Sequence, residues 1–333
     1  MWAVDNQTRY AADRTWIQDR DGMHHWIVAV KGTYALGEDG RLSLAEEQTP
    51  PLLVPEHHGE PGTSSLRYDA DLGPMKPTTD ILVLGSAYAP KERPTDQVEV
   101  RLKVGPIDKG LLVWGERLYE HGVTGVTPGL ARPFLRQPIR YEYSYGGADL
   151  SDPDPRQQAF DLRNPVGRGV IGPDGDLVGR PAPQVTCPNR SDTPAGFGPI
   201  DRSWSPRVGF AGTYDEDWAR TRRPLLPLDY DPRFALCAPV DQQPARHLRG
   251  GEVVELFNLT PGGRIRFELP KVYLTYTTRF GRRREEHRGR LVTVIIEPDA
   301  AMLQMVWQSA LPVPAPDGDY LDVTTVREKP YLT

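Results

Sequence analysis

Along this chain apolar residues recur in twos far more often than in threes and fours. Val98, Val100, Leu102 and Val104 alternate with Glu99, Arg101 and Lys103, the period of a strand with one wet face. Leu111-Leu112-Val113-Trp114 follows after Gly105-Pro106, and the turn between them predicts that the two strands pair. Asp80-Ile81-Leu82-Val83-Leu84-Gly85 is a continuous apolar run, predicted as a strand buried on both faces. Trp26-Ile27-Val28-Ala29-Val30 leads through Gly37 and Asp39-Gly40 into Arg41-Leu42-Ser43-Leu44, a hairpin pattern. Near the C-terminus Ile265, Phe267 and Leu269 alternate with Arg264, Arg266 and Glu268, and Val272-Tyr273-Leu274-Thr275-Tyr276 continues after Pro270. Leu291 to Ile296 is predicted to pair with that segment across a basic turn, and Met302 to Trp307 to form a last strand. Helical spacing is confined to Glu216–Arg223, with Asp215 placed as its cap.

These elements predict a mainly β fold, an antiparallel sandwich-like or barrel-like core with little helix. Between its β-rich ends, residues of about 146–250 are dense in Pro, Gly, Asp and Arg. A structureless connection of that length is unusual inside a compact domain. Its aromatics, among them Phe160, Phe197, Trp204, Phe210, Tyr214, Trp218, Tyr230 and Phe234, predict an ordered, loop-rich lid. We therefore expect one domain, residues 1–333, with a β core of about 10–145 and 251–310 and the lid packed on it.

Composition changes this picture little. Pro (34) and Gly (32) together make about a fifth of the chain, high for a globular enzyme and consistent with short elements joined by irregular loops. The formal charge is −5, with 40 basic and 45 acidic residues interspersed, which argues against a nucleic-acid partner. The basic run Arg279 to Arg284 is followed at once by Glu285 and Glu286 and reads as a solvated hairpin tip. No secretory leader and no apolar run of spanning length is visible. The expectation is a cytoplasmic protein with no membrane association.

Candidate chemistry is sparse. His24-His25 and His57-His58 are adjacent pairs, and neighbours on a strand point to opposite faces, so each pair offers one ligand to a given metal. Cys187 and Cys237 permit one disulfide at most and lack the clustering of a zinc site. No nucleophile elbow is present, and the glycine-rich Gly167-Arg168-Gly169 and Gly196-Phe197-Gly198 open no helix. The best enzymatic lead is Asp229 and Asp231 beside Asp215, carboxylates that a glycoside hydrolase would need but that equally suit turns before Pro232. No cofactor, no metal and no catalytic residue is expected.

Three blocks discriminate further. The first is Pro77-Thr78-Thr79-Asp80 through Tyr88, and the second Asn164-Pro165-Val166-Gly167-Arg168-Gly169. The third runs from Gly196-Phe197-Gly198-Pro199-Ile200 through Trp204, Arg207, Gly212-Thr213-Tyr214-Asp215, Trp218, Pro224 to Phe234, and Ala238-Pro239 to Leu248-Arg249-Gly250-Gly251-Glu252. Together, over about residues 10–310, they resemble a bacterial family catalogued as a domain of unknown function and associated with type VI secretion. Its members are encoded near the spike-tip (VgrG) and PAAR proteins. The resemblance implies a non-enzymatic adaptor or chaperone that binds a toxin effector and promotes its loading onto the VgrG/PAAR spike. It supplies no catalytic residue. Arg207, Asp215 and Trp218, with Tyr214, Arg233 and Phe234, are expected either to form a structural knot inside the lid, an ion pair under an indole, or to contact the partner. The alternatives are a carbohydrate-active hydrolase using Asp229 and Asp231, and a structural component of the spike.

Overall fold

A computed structural model describes residues 2–123, 125–173 and 175–329. Its largest sheet orders Ala11–Gln18, His24–Leu36, Met302–Val313, Arg290–Glu297 and Asp80–Val83, with Leu42–Leu44 paired to the end of His24–Leu36. The last strand in that order runs parallel to its neighbour and the rest are antiparallel. A five-stranded antiparallel sheet orders Val185–Thr186, Ile107–Trp114, Gln97–Val104, Val253–Phe257 and Arg264–Glu268. A third, of four strands, orders Ala3–Asn6, Leu321–Lys329, Tyr273–Phe280 and Arg283–Arg288. The predicted β fold is thus present in a sandwich-like form, and among the described residues no sheet closes into a barrel.

The period-two pattern decides what each strand buries. Val98, Val100, Leu102 and Val104 are buried while Gln97, Glu99 and Arg101 are exposed. They meet Leu111 and Val113 from the predicted partner strand, paired through the Gly105 turn. Inward side chains of all three sheets merge into one apolar core: Trp26, Val28, Val30, Leu303, Met305 and Trp307 of the first, Leu102 and Leu256 of the second, Leu274 and Val326 of the third. Each fully buried aliphatic side chain contributes on the order of 1.5–3 kcal/mol. A thread of hydroxyls and one imidazole joins the first and third sheets at their seam. Trp26 Nε1 donates to Thr324 Oγ1 (2.8 Å), Thr324 meets Thr278 (2.7 Å), and His287 sits between Thr278 and Ser309.

The outer strand Arg264–Glu268 is shielded by the Asp39-Gly40 turn. Gly40 has φ +80°, and a Cβ there would lie 2.2 Å from the Arg266 carbonyl oxygen. Only glycine allows that approach.

Three expectations are corrected. Tyr273–Phe280 pairs with Arg283–Arg288 across the basic tip, whereas Arg290–Glu297 crosses into the first sheet and pairs with Met302–Val313 and Asp80–Val83. Gly289 permits the crossing, since a Cβ there would press on the Tyr276 ring at 2.7 Å. The β core does not stop near residue 310, because Leu321–Lys329 is an inner strand of the third sheet. The lid is also not confined to 146–250: it shares the cover of the first sheet with residues 50–79, and it gives Val185–Thr186 to the second sheet. The single predicted helix forms as Glu216–Thr221, Asp215 accepting from the Trp218 amide at 2.8 Å.

Candidate functional site

Alternation gives the first sheet a second face, and its composition is different. Trp26, Val28 and Val30 point into the common core, so Ile27, Ala29, Lys31 and Thr33 point away from it. The same parity puts Asp80, Thr293, Glu297, Gln304 and Gln308 on that reverse face, all at 4% exposure or less. A wet face would suit these residues. Instead the lid and residues 50–79 cover them, and every charge is matched from the cover.

Lys31 Nζ donates to Asp71 Oδ2 at 2.9 Å, and the same oxygen accepts from the Leu52 amide. Lys76 Nζ donates to Asp80 Oδ2 (2.7 Å) and to Thr293 Oγ1 (2.9 Å), while Asp80 also accepts from the amides of Cys237 and Ala238. Glu297 accepts from the Tyr68 hydroxyl (2.5 Å) and Gln304 Nε2 (2.7 Å). Asp69 receives Arg207 Nη2 at 2.5 Å and Arg202 Nη2 at 3.1 Å. Gln242 donates to the carbonyls of Ile81 and Phe197, fixing the lid to the strand Asp80–Val83. The result is a dry ionic layer between sheet and lid.

The field in this layer is self-consistent. Burial pushes the Asp69 carboxyl up, but Arg207 and Arg202 outweigh it and hold it below its ordinary value. Burial likewise works against the Lys76 ammonium, and Asp80 overcomes it, so Lys76 stays charged. Cys237 lies against both, and burial, reinforced by Asp80, pushes its thiol well up. Such a thiol is neutral and a poor nucleophile. Cys187 is also free, so the two cysteines form no disulfide.

The six residues singled out in the sequence fall into two groups. Arg207 is buried, but its carboxylate is Asp69, not Asp215; it also donates to the carbonyls of Ile200 and Phe234, and its guanidinium lies 5.7 Å from the Phe234 ring. Arg233 pairs with Asp231 at 2.6 Å and stacks on Phe210. Tyr214 meets Trp218 edge-on at 4.7 Å, and Trp218 Nε1 donates to the Leu225 carbonyl. The expected ion pair of Arg207 with Asp215 under Trp218 does not form, because the helix start consumes the Asp215 carboxylate. What sequence reasoning missed were Lys31, Asp69, Asp71, Lys76 and Asp80. A lysine inside an apolar strand, and an aspartate opening another, were the available signals.

The other candidate chemistry is locally engaged. Asp229 accepts from the Thr213 amide and hydroxyl, and Asp231 from the Arg233 amide and guanidinium. Those bonds hold both carboxyls below their ordinary value, the reverse of what a general acid needs. His25 pairs with Asp19 (2.8 Å) and His57 with Asp201 (3.1 Å). Among the described residues no three His, Cys, Asp or Glu converge as metal ligands.

Two grooves, of about 460 and 450 Å³, flank the outermost strand Ala11–Gln18 and share Ile17 and Gln18. One is lined by Trp2, Trp16 and His24. The other runs between that strand and the lid, with Ile27, Met75, Leu226, Tyr230 and Pro312 at its floor and Asp19, Arg20 and Asp21 at its rim. Arg20 Nη1 reaches the carbonyls of Leu228 and Tyr230, and Arg222 bonds the Arg20 carbonyl, so the lid itself shapes this groove.

Residues 21–308 match the family described as "Uncharacterized protein conserved in bacteria (DUF2169)". The chain belongs to that family. No curated protein and no solved structure matches the chain. In this DUF2169 protein the whole ionic layer, Lys31 to Gln308, lies inside the matched stretch, whereas Trp2, Trp16 and Ile17 precede it. Among the described residues no helix is long and apolar enough to cross a membrane.

Proposed function

We propose that this DUF2169 protein is a type VI secretion adaptor, a cytoplasmic chaperone-like protein that binds a toxin effector and promotes its loading onto the VgrG/PAAR spike. The observation that carries the reading is the pair of apolar grooves along the strand Ala11–Gln18, the one beside the lid bordered by Asp19, Arg20 and Asp21. An apolar centre with a charged rim is the anatomy of a protein-binding surface, and Trp and Tyr are the side chains that most often dominate such contacts. The ordered resemblance of the Pro77–Tyr88, Asn164–Gly169 and Gly196–Glu252 blocks gives that surface its partner class. A rigid lid, clamped by the ionic layer, presents Leu226 and Tyr230 to the partner without a folding step, which lowers the entropic cost of association.

The test is co-expression of the full chain with the toxin encoded beside it, followed by size-exclusion chromatography. A stoichiometric complex is expected, and Ile17→Asp or Tyr230→Asp should weaken it at least tenfold while the far-UV circular dichroism stays that of the parent. Failure of the parent chain to retain the toxin, or retention undiminished in both variants, would sink the reading.

A further inference from the structure

A third concavity, of about 330 Å³, lies at the opposite end of the strand Asp80–Val83 from the lid clamp, lined by His57, His58, Arg67, Arg136, Arg140 and Asp299 among others. Its acceptors are already committed. Asp299 receives Ser86 Oγ, the Tyr88 hydroxyl and Arg136 Nη2, and Glu297 receives Tyr68 and Gln304. Glu142, beside it, accepts from the amide and hydroxyl of Ser65. The donors are not. Arg67 lies over the Tyr68 ring at 4.9 Å, and neither Arg67 nor Arg140 has a carboxylate within ion-pair distance among the described residues. Both side chains are exposed. Arg136, in the same cleft, is by contrast paired with Asp299 at 2.6 Å. The cleft therefore keeps two cationic donors, Arg67 and Arg140, without a carboxylate partner.

We infer that this cleft is an oxyanion-binding site, in which the guanidinium groups of Arg67 and Arg140 grip the oxygens of a phosphate or carboxylate group. Planar guanidinium forks suit such groups because they donate two parallel hydrogen bonds. His58 supports the assignment from below. Burial, then Arg140 and Arg67, push its imidazole down to about 4, against the opposing pull of Glu142. Burial is the larger cause, and both guanidinium groups act on this imidazole in the same direction, so all three line one cleft close enough to interact. The chemistry is the same whether the group is a free ion or an acidic side chain of a bound protein, and the site stands apart from the grooves on which the adaptor reading rests.

The experiment titrates the full chain by calorimetry with inorganic phosphate in one arm and a tetraglutamate peptide in the other. Parallel titrations use Arg67→Gln, Arg140→Gln and, as a control outside the cleft, Arg132→Gln. Binding in either arm that is weakened tenfold or more by both cleft variants and unchanged by Arg132→Gln supports the site. Tighter phosphate binding identifies a free anion as the ligand, and tighter peptide binding an acidic side chain. In the supporting case the His58 ring resonances should titrate at higher pH when the anion is bound. No binding in either arm, or binding that the cleft variants leave unchanged, would overturn the inference.

Discussion

The two faces of the first sheet are built from the same strands and solve burial in opposite ways. Toward the common core, Trp26, Val28, Val30, Leu303 and Met305 pack against apolar residues of the other sheets. Toward the lid, Lys31, Asp80 and Glu297 are just as dry but are matched one by one with Asp71, Lys76 and Tyr68. Apolar burial is non-directional, so the first face specifies little beyond volume. Buried charges tolerate only the partner that satisfies them. The ionic face is therefore the one that dictates where the lid sits, and hence the shape of the groove holding Leu226 and Tyr230.

Breaking the ionic face on one side should produce the largest effect. Asp80→Ala leaves the Lys76 ammonium buried without its carboxylate and two amides without an acceptor, and should destabilise by about 3–5 kcal/mol. Urea unfolding measures it, and a loss under about 1 kcal/mol would show that water reaches the layer. Leu102→Ala, on the apolar side, should cost a comparable 2–5 kcal/mol through its cavity, yet leave the lid in place. Limited proteolysis separates the two: the Asp80 variant should be cut within residues 197–250 under native conditions, and the Leu102 variant should not.

A double substitution sharpens the contrast. Lys31→Met alone strands Asp71 and should cost about 3–5 kcal/mol, whereas Lys31→Met with Asp71→Leu should recover most of that, because both charges leave together. Strict additivity in the double-mutant cycle would mean the two residues do not interact.

Acid should act on the two regions in different windows. The folded Asp69 carboxyl sits below its ordinary 3.8, so the unfolded chain binds the proton first; the stability this group confers is full above about pH 4 and falls as pH drops through the folded value. At the seam of the first and third sheets, burial pushes His287 down from 6.5 to about 4. There the unfolded chain takes up a proton between those values, and stability declines already from about pH 6.5 downward. His287→Gln should flatten the upper limb of the stability profile and leave the lower one. Arg207→Met should alter the lower limb, because Asp69 would lose the charge that holds its value down. The smallest effect is expected at the surface: Arg233→Ala removes an exposed pair and should change stability by less than about 1 kcal/mol.

The legibility of the sequence follows the same division. Period two along Val98–Val104 is a local property, and it specified a strand, its wet face and its partner Ile107–Trp114 correctly. The helix after Asp215 was legible for a similar reason, since a cap bonds within three residues. The pairing of Leu291–Ile296 was not, because the segment's apolar pattern fits any sheet with room for it, and neighbouring in sequence suggested the wrong one. The partner of Arg207 was hidden for a different reason: Asp69 lies 138 positions away, and many acids in the chain were equally eligible.

By itself, then, the sequence determined the β class and the helix that starts at Asp215, because each rests on spacing within a few residues. Tertiary structure alone decided which strands share a sheet, that the reverse face is ionic and covered, and that Arg67 and Arg140 line one cleft. Those outcomes depend on matching groups far apart in the chain, and charge pairing and close approach are settled only when the backbone brings such groups within a few ångströms.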